Sequence, residues 1–127
     1  MSEATHNGPV RRLVAAAAVL NLVIPFTAWA RAILVDSTLR EAAVVCERTF
    51  AVELSFNAKI DQRRSKLTLE DPAHHNTPVV IEDDSMLRSK LLARISDLKP
   101  GSYKLHWEVF AADGHTTRGV ISFSVRC

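Results

Sequence analysis

Asp113, Gly114 and His115 set a carboxylate and an imidazole two residues apart around a glycine. Both side chains can ligate a metal ion, and the same three residues can equally form a hairpin turn followed by a solvated histidine. His74 and His75 are adjacent in a polar stretch, Asp71-Pro72-Ala73-His74-His75-Asn76, where neighbouring histidines are ordinarily solvated. His106 shares the outward face of its segment with Glu108, the position of a surface histidine rather than a ligand. Cys46 and Cys127 are the two cysteines. They could form a disulfide, stay as separate thiols, or hold a metal. Thiolates favour Cu(I) or zinc, but two alone make an incomplete set. After residue 30 Met86 is the one methionine, too few for a thioether cluster. No catalytic constellation is visible, and the chain is not expected to be an enzyme.

The elements that would position these groups alternate with period two. Phe50, Val52, Leu54 and Phe56 alternate with Ala51, Glu53 and Ser55, the pattern of a strand with one face in a core. Tyr103, Leu105, Trp107 and Val109 alternate with Lys104, His106 and Glu108, and Ile121, Phe123 and Val125 alternate with Ser122, Ser124 and Arg126. Tyr103 and Trp107 are thereby expected in the core. Shorter strands are expected at 33–35, 66–69 and 79–81. Residues 87–95 fit helical spacing at Leu87, Leu91, Leu92 and Ile95 and strand spacing at Leu91, Ala93 and Ile95; the turn Lys99-Pro100-Gly101 that follows favours a strand. Asp113-Gly114 between two alternating runs is a hairpin signal. About seven short strands separated by turns predict an all-β sandwich or barrel. Cys127 continues the parity of Ile121, Phe123 and Val125, and Cys46 stands at even spacing from Phe50. Both are therefore expected to face one core, which favours the disulfide in an oxidising compartment.

The first thirty residues are of another kind. Arg11 and Arg12 precede the apolar run Leu13 to Phe26, and Ala28-Trp29-Ala30 follows. Basic start, apolar middle and small-x-small end describe a secretory signal peptide cut after Ala30. A spanning helix needs roughly 20 apolar residues, and this run is shorter. The expected division is a signal peptide at 1–30 and one domain at 31–127, placed in the periplasm. The whole chain has 127 residues and a formal net charge of +2. Its basic residues are dispersed, so nucleic acid is not an expected partner. No internal repeat or low-complexity segment follows residue 30.

The last third carries a resemblance. Leu98-Lys99-Pro100-Gly101-Ser102-Tyr103-Lys104-Leu105-His106-Trp107-Glu108-Val109, then Ala112-Asp113-Gly114-His115, then Gly119 and Ile121-Ser122-Phe123-Ser124-Val125, resemble the C-terminal signature of CopC copper-resistance proteins. That signature is a proline-glycine turn, a tyrosine-x-x-x-tryptophan strand, an Asp-Gly-His turn and a phenylalanine-x-valine strand. Leu34-Val35-Asp36-Ser37-Thr38 and Leu54-Ser55-Phe56 are compatible with the family's N-terminal part. The resemblance implies an immunoglobulin-like Greek-key β-sandwich or barrel in the periplasm, monomeric. It also implies Cu(II) binding, a role in copper homeostasis or resistance, and an inner-membrane CopD-type copper transporter as a possible partner.

The family's Cu(II) site implies three positions here. Asp113 and His115 match the Asp and His of the turn, and Cu(II) prefers such nitrogen and oxygen ligands. The third, the first residue of the mature family protein, is histidine there and Arg31 here. Guanidinium stays protonated and cannot donate to a metal, so Arg31 could contribute only its terminal amine after cleavage. The expectation is one weakened Cu(II) site and no methionine-rich Cu(I) site. The alternative is a CopC-fold module that has lost copper and serves protein interaction. A copper oxygenase would need an N-terminal histidine brace, which Arg31 removes.

Overall fold

A computed structural model describes residues 31–127; the expected signal peptide lies outside the described residues. Every regular element described is a strand: β1 (Leu34–Ser37), β2 (Ala43–Val45), β3 (Phe50–Phe56), β4 (Ile60–Glu70), β5 (Asn76–Val79), β6 (Lys90–Ile95), β7 (Gly101–Ala111) and β8 (Thr116–Val125). They form a three-stranded sheet in the order β1-β3-β6 and a five-stranded sheet in the order β2-β8-β7-β4-β5. The chain crosses between sheets from β1 to β2, β2 to β3, β3 to β4, β5 to β6 and β6 to β7, the connectivity of a Greek-key, immunoglobulin-like sandwich. All pairings are antiparallel except β2 with β8.

The alternation places the core. Val52 and Leu54 of β3 and Leu91, Ala93 and Ile95 of β6 face Tyr103, Leu105, Trp107 and Val109 of β7 and Ile121, Phe123 and Val125 of β8, all buried. Burying each large apolar side chain contributes about 1.5–3 kcal/mol relative to exposure. Aromatic contacts tie the layers together. Phe56 meets Trp107 edge-on at 5.5 Å between centroids and Phe50 meets Phe123 edge-on at 5.9 Å, while Tyr103 stacks on Phe123 within its own sheet at 5.5 Å. The Tyr103 hydroxyl donates to the Lys99 carbonyl at 2.6 Å, so its polar end is satisfied at the Pro100–Gly101 turn.

The all-β sandwich of about seven strands is found, with eight strands, the three-residue β2 being the one that leaves no periodic trace. Two expectations are corrected. The strand expected at 66–69 extends over 60–70 as β4. Its polar first half is held by an irregularity: the Asp61 carboxylate accepts from the Arg63 and Arg64 amides, and the buried Ser65 hydroxyl donates to the Asp61 carbonyl and accepts from the Phe110 amide. The disulfide between Cys46 and Cys127 is present, with Cα atoms 4.9 Å apart, but both residues are exposed rather than core-facing. β8 ends at Val125, so the parity of its strand no longer governs residue 127.

Candidate metal site

The turn between β7 and β8 builds the site. Phe110 and Thr116 are the last paired residues, the Ala111 amide donates to the His115 carbonyl at 2.8 Å, and the Gly114 amide donates to the Ala111 carbonyl at 2.9 Å. Gly114 has φ +94°, a value L side chains rarely adopt, so the turn calls for glycine between the two candidate ligands. The Asp113 carboxylate accepts the His115 amide at 3.1 Å through Oδ1 and faces His115 Nδ1 at 2.8 Å through Oδ2. Those bonds, the backbone amide first, hold the Asp113 carboxyl below its ordinary pKa of 3.8. A carboxylate against Nδ1 fixes the neutral ring with its proton there and leaves the Nε2 lone pair as the donor. The side chains are 40% and 57% exposed, open to an ion from solvent.

Residue 31 stands at the same end of the sandwich. Ile33, two residues on, exchanges bonds with Asn57: its amide donates to Asn57 Oδ1 at 2.8 Å and its carbonyl accepts the Asn57 amide at 3.0 Å. Lys59, two residues beyond Asn57, accepts the amide of Ala112 at 3.2 Å. The β3–β4 turn therefore lies between the start of the domain and Asp113. Arg31 is exposed. Among the described residues no three His, Cys, Asp or Glu side chains are gathered to hold one ion.

The other histidines meet partners that sequence reasoning missed. Glu70, the last residue of β4, faces His74 Nδ1 through Oε2 at 2.8 Å and His106 Nε2 through Oε1 at 2.9 Å. These bonds, that from His74 first, lower the Glu70 pKa from its ordinary 4.5. His106 lies opposite Thr68 in the ladder, so Glu70 is its diagonal neighbour. The signal was register, which the sequence does not print. His75 stays exposed, 3.4 Å from Asp71. Each imidazole against Glu70 addresses a different oxygen, a hydrogen-bonded clasp between the β4–β5 turn and β7.

Comparisons with known proteins agree with this architecture. A family model described as CopC domain matches residues 34–126. Protein YobA of Escherichia coli K12 is 31% identical over 108 residues, covering 84% of this chain and 86% of that protein, and Protein YobA of Shigella flexneri matches equally. Two solved structures share the fold. CopC from Methylosinus trichosporium OB3b superposes with a TM-score of 0.67 at 24% identity, over 75% of this chain and 93% of that one. PcoC, a methionine-rich copper resistance protein from Escherichia coli, does so with a TM-score of 0.56 at 23% identity, over 76% and 100%. The family match across both sheets, together with the YobA relatives, establishes that this chain belongs to the CopC domain family.

Proposed function

We propose that this protein is a periplasmic copper-handling carrier, not an enzyme, that takes one Cu(II) ion at the Asp113–His115 turn. The observation that carries the reading is the pairing of Asp113 with His115 Nδ1, which orients an exposed imidazole with Nε2 as donor. Cu(II) favours imidazole nitrogen and carboxylate oxygen. After cleavage behind Ala30, the terminal amine of Arg31 supplies a third donor; a free α-amine has a pKa near 8, so the ion can displace its proton at neutral pH. Asp113 then either turns an oxygen to the ion or stays on Nδ1 and raises the basicity of the ring. Affinity is lower than a set with histidine at position 31 would give. The carrier acts as a monomer and hands copper to an inner-membrane transporter of CopD type.

A second reading, a CopC-fold interaction module without copper, is favoured by Arg31 and by the lack of a gathered three-ligand cluster among the described residues. Cu(II) titration of the exported protein with its natural N-terminus separates the two. One ion per chain, lost in His115→Ala, supports the carrier. Equal binding by His115→Ala overturns the site, and no binding by the parent favours the module.

A further inference from the structure

Cys46 and Cys127 lie beyond the ends of two strands whose backbone holds them side by side. β2 runs parallel to β8 with Val45 opposite Val125, and the Arg126 amide donates to the Val45 carbonyl at 3.0 Å. Cys46 follows Val45 and Cys127 follows Arg126, so strand pairing adjoins the disulfide and acts with it to hold the two Cα atoms at 4.9 Å. Both residues are exposed, open to a reductant and to an ion. We infer that the Cys46–Cys127 pair is a reduction-gated Cu(I) site: closed as the disulfide, and a two-thiolate clamp for one cuprous ion when reduced.

The chemistry selects the ion. Soft thiolates favour Cu(I) and zinc. Zinc takes four ligands, and two cysteines leave that set half empty. Cu(I) accepts two ligands in line, so the pair counted as incomplete on the sequence is complete for this ion. With metal–sulfur bonds of roughly 2.3 Å, the zinc value, the sulfurs must stand roughly 4.6 Å apart. Two Cα atoms at 4.9 Å allow that by side-chain rotation.

The gating step is thiol–disulfide exchange with a dithiol reductant of the thioredoxin type. One reductant thiolate attacks a sulfur of the disulfide and forms a mixed disulfide, expelling the other cysteine as a thiolate that takes up a proton. The reductant's second thiolate then displaces the remaining cysteine. The reductant ends as a disulfide and the protein as two thiols, with two electrons and two protons transferred. Binding follows as Cu(I) plus two thiols giving a dithiolate complex of charge −1 and two released protons. This site is distinct from the Asp113–His115 turn, because β8 separates them by ten residues, about 33 Å of strand.

Anaerobic titration with Cu(I) buffered by bicinchoninate tests the inference, on purified protein reduced with an immobilised phosphine. The reduced protein should take up one Cu(I) per chain, with sulfur-to-copper charge-transfer absorption in the near ultraviolet, and copper should protect both thiols from alkylation. The oxidised protein and Cys46→Ser/Cys127→Ser should take up none. His115→Ala should behave as the parent, which separates this site from the Cu(II) reading. Uptake no greater in reduced protein than in the double serine variant overturns the inference, as does uptake that the variant keeps. Near-ultraviolet circular dichroism checks that reduction leaves the sandwich folded. Loss of that signal also overturns it, because strand pairing is then not what holds the thiols together.

Discussion

The indole of Trp107 lies across Gly119, its cross-strand partner on β8, so closely that a Cβ at that glycine would stand 2.3 Å from the ring. The glycine is a gap filled by the ring, which then reaches Phe56 of the other sheet. Gly119→Ala should cost about 1–3 kcal/mol, the usual range for overpacking. Urea unfolding followed by circular dichroism measures it. Trp107→Phe removes the indole atoms the new methyl meets, so the double variant should lose less than the sum of the single losses. Additive losses would show that ring and glycine are not coupled.

How much of this was legible follows from where periodicity is strong. β3, β7 and β8 alternate cleanly, and their inward residues are the core that was expected, Tyr103 and Trp107 included. The first half of β4 reads Ile-Asp-Gln-Arg-Arg-Ser-Lys, with no alternation, because Asp61 and Ser65 satisfy its backbone through side chains. Glu70 carried no signal because its partners come from the next turn and from β7. The turn at Asp113 was visible because Asp-Gly states its own geometry. That the turn shares an end with residue 31 depends on Asn57 and Lys59, which only the fold brings between them.

The Glu70 clasp gives a pH dependence with a definite sign. Its carboxyl is depressed below 4.5 by the His74 bond first and the His106 bond second, with Lys104 adding attraction. A group whose pKa is lower folded than unfolded stabilises above its unfolded value and loses that contribution as pH falls through the folded one. Stability of the parent should therefore fall as pH drops below about 4.5. Glu70→Gln, which cannot titrate, should show a shallower acid limb, read from urea midpoints at successive pH values. Parallel limbs would remove Glu70 from the acid response.

The disulfide closes a long loop, with 81 residues of sequence separation. Chain entropy then assigns it about 4 kcal/mol, a large part of the 5–15 kcal/mol typical of a domain. Cys46→Ser/Cys127→Ser should lower the unfolding free energy by about that amount while leaving the native circular dichroism unchanged. A loss under about 1 kcal/mol would mean that residual structure already restrains the unfolded chain.

Position 31 gives the sharpest test of the copper reading. Arg31 puts a permanent cation where a metal ligand would serve, at the end of the sandwich that carries the Asp113–His115 turn. Arg31→His changes two things at once: it removes the charge and adds an imidazole. Arg31→Ala removes the charge alone. The alanine variant should bind Cu(II) only slightly tighter than the parent. The histidine variant should bind more than tenfold tighter than either, a gain above about 1.4 kcal/mol. Competition against a chelator of known affinity, on exported protein with a verified N-terminus, measures all three. A leftover residue ahead of position 31 would bury the amine in a peptide bond and abolish that donor, so an extended parent serves as the internal control and should bind more weakly. Equal affinities for Arg31→His and Arg31→Ala would mean that the side chain at position 31 does not reach the ion, and equal binding by the extended parent would remove the amine too, reducing the Cu(II) set to Asp113 and His115.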